Sequence, residues 1–179
     1  LGVASGTSGV FYSIVNLAQA GDNIVSARNL YGGTYTQFND ILPKFGITVK
    51  FVDSNDPENF ARAIDAKTRA LFCESVSNPA LEITDLEAVA RVAHAAGLPL
   101  IVDSTFSTPY LTQPLAHGAD IIVHSLTKWF GGHGTGIGGV PGALYNSQSA
   151  ESNIRNVTLT GATTIGTTAG KLNINGTIT

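Results

Sequence analysis

Residues 119–132, ADIIVHSLTKWFGG, place a short apolar run directly before a polar segment. The run Ile121–Val123 is β-branched and is typical of a buried strand, and Lys128 lies in the segment that follows it. The same arrangement recurs along the chain, with candidate strands at 23–27, 47–52, 69–74, 98–103 and 119–123. Helical patterns separate or precede these strands, at 7–20, 34–42, 57–65 and 84–96. This alternation predicts an α/β fold with a mostly parallel sheet that helices cover on both faces.

The clearest helix start lies at Thr84 and Asp85. Glu87 stands three residues after Thr84, which is the spacing of a capping box. Gly97 is expected to close the far end of the same helix, since glycine suits the position just after a helix.

Lys128 and Asp103 have related settings, because each follows or ends an apolar strand. The carboxyl ends of parallel strands share one sheet edge, where ligands bind. Pyridoxal phosphate needs an amine to hold it and a carboxylate to keep its ring nitrogen protonated. The pair therefore suggests a pyridoxal phosphate site, although alone the lysine would be a surface charge and the aspartate a turn or helix cap.

The composition of the chain argues against several classes of function. The 179 residues are 43% hydrophobic and 13% charged, with a formal net charge of −3. Dispersed basic residues give nucleic acid no charged stripe to bind, and no apolar stretch is long enough to cross a bilayer. Cys73 is the single cysteine, and the four histidines lack a metal-ligand pattern. We expect a cytoplasmic globular protein without metal, nucleic-acid or membrane partners.

A candidate phosphate site precedes the first helix. The run Ser5-Gly6-Thr7-Ser8-Gly9 would place free backbone N–H groups at a helix N-terminus, where anions bind. An ordinary Ser or Thr N-cap beside flexible glycines explains this run equally well. Ser125 and Thr127, on either side of Leu126, offer hydroxyl donors to the same phosphate.

Three further residues lie at strand ends. Tyr31 precedes Gly32 and Gly33, so its ring could stack on a ligand or simply form a turn. Asn78 follows the third strand, where its amide could reach a ligand oxygen or form an Asx turn. Glu74 also ends a strand, but several structural duties would explain it.

The composition changes near Val140. Residues 141–179 are dominated by Thr, Gly, Asn and Ile, which favours β-like structure, a solenoid coil or disorder. We expect one domain at 1–140 and, at 141–179, a tail of uncertain origin from a fusion or frame junction. The tail should pack poorly against the α/β body and add nothing to the site, and Arg155 should play no part in it. The start at Leu1 suggests a fragment.

Five segments carry a family resemblance: SGTSG (5–9), NLYGGTYTQF (29–38), ESVSNP (74–79), IVDSTFSTP (101–109) and HSLTKWFGGHGTGIGG (124–139). With these segments, residues 1 to about 140 resemble the large domain of the Cys/Met-metabolism family of pyridoxal phosphate enzymes. The O-acetylhomoserine sulfhydrylase subgroup is the most similar. The resemblance implies an incomplete large domain of the fold type I transferases, with a Thr/Gly/Asn-rich β-like tail.

The resemblance also implies a role for each site residue. Lys128 would bind the cofactor covalently, Asp103 would pair with its ring nitrogen, and Tyr31 would stack on the ring and transfer protons. The remaining cofactor contacts are the backbone of Gly6 and Thr7, the hydroxyls of Ser125 and Thr127, the amide of Asn78, and Thr105 near the ring.

The implied reaction belongs to sulfur amino acid biosynthesis. It is a γ-replacement on O-acetylhomoserine by sulfide or a thiol, giving homocysteine or methionine. Alternatives are a non-catalytic remnant of the fold, cystathionine γ-synthase or γ-lyase activity, and a β-rich binding or surface module defined by the tail. Members of the family form homotetramers, which a fragment would not necessarily form.

Overall fold

The structure is a computed structural model. It describes residues 1–131 and the backbone of three further strands, β7 (Gly142–Asn146), β8 (Ile154–Arg155) and β9 (Ile174–Asn175). The preceding strands are β1 (Gly2–Val3), β2 (Asn23–Ala27), β3 (Thr48–Val52), β4 (Thr68–Glu74), β5 (Leu100–Asp103) and β6 (Ile121–His124).

The helices of the described chain are α1 (Gly6–Val15), α2 (Gly32–Thr36), α3 (Glu58–Ala63), α4 (Leu86–Ala95) and α5 (Thr108–Leu111). Two π-helical segments, Gln37–Ile41 and Leu126–Phe130, and two 3-10 segments, Leu42–Phe45 and Pro114–His117, complete the set.

Among the described strands, β1 to β7 form one sheet in the order β1-β7-β6-β5-β4-β2-β3. The pairs from β6 to β3 are all parallel, whereas β7 runs antiparallel to β6 and β1. Glu74 and Asp103 are register partners at the ends of β4 and β5. The predicted α/β class with a mostly parallel sheet is confirmed.

The five predicted strands all form, with ends that shift by at most two residues. The predicted helix 7–20 ends early, at Val15, where the Asn16 side chain donates to the Tyr12 carbonyl at 2.9 Å. The predicted helix 34–42 begins at Gly32 and tightens into the 3-10 segment Leu42–Phe45 before Gly46, whose φ is 76°.

The capping box predicted at Thr84 is wrong. Asp85 is the N-cap of α4 and accepts from the Ala88 N–H at 3.0 Å. Thr84 instead donates its hydroxyl to the Glu74 carbonyl at 2.7 Å, because the chain there crosses the end of β4. The predicted closure is confirmed, since Gly97 has φ 69° and donates to the His94 carbonyl.

Helices cover both faces of the central sheet. Along β2 all five residues are buried, so side chains pointing to either face lie away from water. Phe72 on β4 packs edge-to-face on Phe38 at a centroid distance of 4.9 Å, and both rings are fully buried. No helix among the described residues is long and apolar enough to cross a bilayer.

Strand β7 lies in the tail predicted at 141–179 and pairs with β6. For these five residues the expectation of poor packing against the α/β body is wrong, because their backbone pairs with β6 on one side and with β1 on the other. The domain boundary near residue 140 stays a prediction. Most of the remaining tail, and the side chain of Arg155, lie outside the described residues.

Candidate active site

A cavity of about 360 Å³ opens at the carboxyl edge of the parallel strands, which is the size of a small-molecule site. Eight of the nine predicted site residues line it: Gly6, Thr7, Tyr31, Asn78, Asp103, Thr105, Ser125 and Lys128. Thr127 is not in the lining, but its Oγ1 lies 3.1 Å from the Ser125 Oγ. Lining residues that were not predicted are Ser5, Thr34, Glu74, Val76, Phe106 and Trp129.

The N-terminus of α1 forms one end of the cavity. Ser5 is the N-cap and its Oγ accepts from the Ser8 N–H at 3.0 Å, so the ordinary cap expected from the sequence is present. The N–H groups of Gly6 and Thr7 have no acceptor among the described residues. A Cβ on Gly6 would lie 2.8 Å from the Ser125 Cβ, so only glycine lets the helix approach the β6 end this closely. These groups form an anion cradle.

Asp103 lies at the other end of the cavity. Its Oδ1 accepts from the Thr105 N–H at 2.9 Å, and the Thr105 Oγ1 accepts from the Ser125 N–H at 2.8 Å. Thr105 therefore links the carboxylate to the anion cradle. Burial raises the pKa of Asp103, and the hydroxyl and N–H of Thr105 oppose that shift.

Glu74 is buried beside Asp103 and holds two backbone groups. Its Oε1 accepts from the Tyr31 N–H at 2.7 Å and its Oε2 from the Asn78 N–H at 3.1 Å. Burial raises the pKa of Glu74 to about 7, and the charge of Asp103 adds to the shift. The two N–H donors oppose it.

Lys128 brings an amine to the same cavity. Its backbone angles, φ −99° and ψ −130°, interrupt the π-helical segment Leu126–Phe130. Beside it, Trp129 lies 6.1 Å from the Phe106 ring, so aromatic side chains flank the lysine at the cavity.

The lining fits pyridoxal phosphate. The fit rests on one amine, a partly buried carboxylate for a ring nitrogen, and an anion cradle for a phosphate, all within one cavity. Fold and donor set together define a cofactor-binding domain of the α/β type.

Comparison with known proteins supports the assignment to a cofactor-binding domain of the α/β type. The sequence model of the family described as "Cys/Met metabolism PLP-dependent enzyme" matches residues 1–177, and the chain belongs to this family. The homocysteine synthase of Schizosaccharomyces pombe is 55% identical over 141 residues, covering 78% of this chain and 33% of the relative. The O-acetyl-L-homoserine sulfhydrylase of Leptospira meyeri is 51% identical over 140 residues, covering 78% and 32%.

A solved structure supports the fold assignment. The putative O-acetylhomoserine (thiol)-lyase of Campylobacter jejuni superposes with a TM-score of 0.79 at 40% identity, covering 83% of this chain and 36% of that protein. That structure carries N'-pyridoxyl-lysine-5'-monophosphate. The fold type I assignment is thereby confirmed. The chain spans about a third of the length of the curated relatives that it matches.

The residue most clearly missed by sequence reasoning is Glu74. Its position at the end of a buried strand marked it as unusual, but sequence alone did not reveal its two backbone partners. The segment GGHGTGIGG lies outside the described residues after Gly131.

Proposed function

We propose that this chain binds pyridoxal phosphate covalently through Lys128. The observation that carries the proposal is the convergence of Lys128, Asp103 and the Gly6 cradle on one cavity. These groups come from separate segments of the chain, and an unrelated surface lysine would not meet a partly buried carboxylate and a helix N-terminus in one site.

Each site residue predicted from the sequence has a proposed task. Asp103 keeps the cofactor ring nitrogen protonated, and Tyr31 stacks on the ring and moves protons. The amides of Gly6 and Thr7 and the hydroxyls of Ser125 and Thr127 bind the phosphate. The Asn78 amide contacts the ring oxygen, and Thr105 holds Asp103 in place.

The proposed reaction is γ-replacement on O-acetylhomoserine with sulfide or a thiol, giving homocysteine or methionine. The names and identities of the relatives support this substrate class. When bound, pyridoxal phosphate supplies an electron sink for negative charge at the substrate carbons. The Lys128 amine moves the proton at the substrate Cα.

The proposal extends to the partners, the location and the assembly of the protein. We propose small amino acid substrates and a sulfur donor as partners, a cytoplasmic location, and a homo-oligomer as the working assembly of the full-length relatives. The single-site chemistry of the cavity can be tested without reference to that assembly.

The test is covalent capture of the cofactor. The purified chain is mixed with pyridoxal phosphate, reduced with borohydride and digested, and the modified lysine is located by mass spectrometry. We expect modification at Lys128, a visible absorbance band before reduction, and loss of both in Lys128→Ala. Lys44→Ala is the matched control, since Lys44 is exposed and does not line the cavity.

Modification spread over exposed lysines, with equal labelling of Lys128→Ala, would contradict the proposal. Specific binding at Lys128 without turnover of O-acetylhomoserine and sulfide would favour the non-catalytic alternative for this chain.

A further inference from the structure

Glu74 joins two loops that are far apart in sequence. One loop follows β2 and carries Tyr31, and the other follows β4 and carries Asn78. Each carboxylate oxygen accepts one backbone N–H, from Tyr31 at 2.7 Å and from Asn78 at 3.1 Å. Glu74 is 6% exposed, so water does not compete well for these bonds.

A second link joins the same loops. The Asn29 Nδ2 donates to the Glu82 Oε2 at 2.5 Å, and Asn29 lies two residues before Tyr31. Glu82 in turn exchanges two bonds with Ser77, which donates its N–H to the Glu82 carbonyl and accepts the Glu82 N–H on its Oγ. The loop that carries Asn78 is therefore held as one unit against the loop that carries Tyr31.

The side chains of Tyr31 and Asn78 depend on this backbone support. Both residues are exposed at the cavity, and neither side chain has a hydrogen-bond partner among the described residues. Their positions in the cavity are set by where the backbone is held. Glu74 fixes that backbone at both residues at once.

We propose that Glu74 is a positioning residue whose two oxygens lock the Tyr31 and Asn78 backbones together and so set the cofactor-contacting faces of both side chains. This rests on the proposed cofactor function of the cavity. Glu74 does not itself need to touch the cofactor. One carboxylate holds both loops. Loss of either bond should therefore loosen only the part of the cavity that Tyr31 and Asn78 line.

The first measurement needs no cofactor. Amide hydrogen exchange is followed by NMR in the full chain at about pH 8, where Glu74 is mostly ionised given its pKa of about 7. In Glu74→Gln one oxygen acceptor becomes an NH₂ donor, so at least one of the Tyr31 and Asn78 amides should exchange roughly tenfold to hundredfold faster. The amide of Phe72 in the β4 ladder should keep its rate.

Glu82→Gln is the matched control. It removes a negative charge from the loop that carries Asn78, but its side-chain oxygen still accepts from Asn29, so the Tyr31 and Asn78 amides should exchange within about twofold of wild type. Unchanged exchange of both amides in Glu74→Gln would overturn the proposal. Equal acceleration of Phe72 would also overturn it, because Glu74 would then act on the stability of the whole sheet.

The second measurement is the dissociation constant of pyridoxal phosphate, read from the quenching of Trp129 fluorescence. We expect Glu74→Gln to bind roughly tenfold more weakly, with the same labelling site at Lys128. Faster amide exchange with unchanged affinity would overturn the positioning role. If the wild-type chain fails to bind the cofactor at all, the proposed function fails, whereas the exchange data still decide whether Glu74 locks the two loops.

Discussion

The two ends of the cavity differ in the chemistry with which they would hold a ligand. At the α1 end the groups are neutral amides and hydroxyls, packed so closely that Gly6 has no room for a side chain beside Ser125. At the other end are two carboxylates, the buried Glu74 and the partly buried Asp103, whose pKa values burial raises. The α1 end should therefore be sensitive to added volume, and the carboxylate end to charge and pH.

The largest effect is expected for Asp103→Asn. The variant keeps the shape of the side chain but cannot form an ion pair with a protonated ring nitrogen, so affinity for pyridoxal phosphate should fall roughly a hundredfold. The cofactor-free variant should be at least as heat-stable as wild type, because a buried carboxyl of raised pKa is costly to ionise. Fluorescence titration and a thermal scan check both points.

Asp53→Asn is the control, since Asp53 is exposed, follows the edge strand β3 and does not line the cavity. Wild-type affinity in Asp103→Asn would show that the carboxylate end does not depend on charge.

A smaller effect is expected for Gly6→Ala. Its Cβ would meet the Ser125 Cβ at 2.8 Å, so α1 must shift away from the β6 end. Overpacking of this kind costs about 1–3 kcal/mol of folding stability. The displaced N–H groups of α1 should bind pyridoxal phosphate roughly tenfold more weakly. Pyridoxal, which has no phosphate, should bind to the variant and the wild type alike.

Gly32→Ala is the matched control, because a Cβ on Gly32 meets nothing within 4 Å. Equal losses for pyridoxal and pyridoxal phosphate would mean that Gly6 shapes the whole cavity and not its α1 end.

The carboxylate end should also make stability depend on pH. The pKa of Glu74 is 4.5 in the unfolded chain, and burial raises it to about 7 in the folded chain. Between these values the folded chain binds a proton that the unfolded chain has released, so this contribution to the free energy of unfolding falls as pH rises. Glu74→Gln should lack this fall, and the difference should be on the order of 1–3 kcal/mol.

The comparison must be made as wild type minus variant. Burial lowers the pKa of His124 below its ordinary 6.5, which gives a slope of the opposite sign in the same range. Asp103, with a raised pKa, adds a slope of the same sign as Glu74. Chemical denaturation at several pH values measures the difference, and parallel curves for the two proteins would refute the contribution of Glu74.

The smallest effect is expected for Ser125→Ala. One neutral hydroxyl is lost from the α1 end, which should weaken pyridoxal phosphate binding about fivefold at every pH tested. Thr48→Ala, at the amino end of β3, is the control. A loss of pyridoxal phosphate affinity that varies with pH would show that a titrating group contributes to binding at the α1 end.

The ends of the strands were predictable because apolar runs and the polar residues after them are local features. Asp103 and Lys128 could be assigned to one edge for the same reason, since parallel strands align their carboxyl ends. Thr84 shows the limit of this reasoning. Its sequence fits a capping box, but its hydroxyl bonds to Glu74, a partner that only tertiary packing supplies.

The duties of Glu74 and Thr105 were out of reach for a similar reason. Both act on backbone N–H groups, and no side-chain pattern in a sequence reveals which N–H group will lie nearby. The anion cradle at the N-terminus of α1 was only partly predictable from the sequence. Its glycines were visible in the sequence, but the contact that requires Gly6 comes from Ser125, far along the chain.

The closeness of Gly6 and Ser125 has a consequence for biosynthesis. The first helix meets the end of β6 only when nearly all of the parallel sheet is present, so this contact has high contact order. On the ribosome, a nascent chain that lacks β6 has no complete cradle. A ligand bound there stabilises the finished fold by mass action, but it cannot guide the early steps of folding.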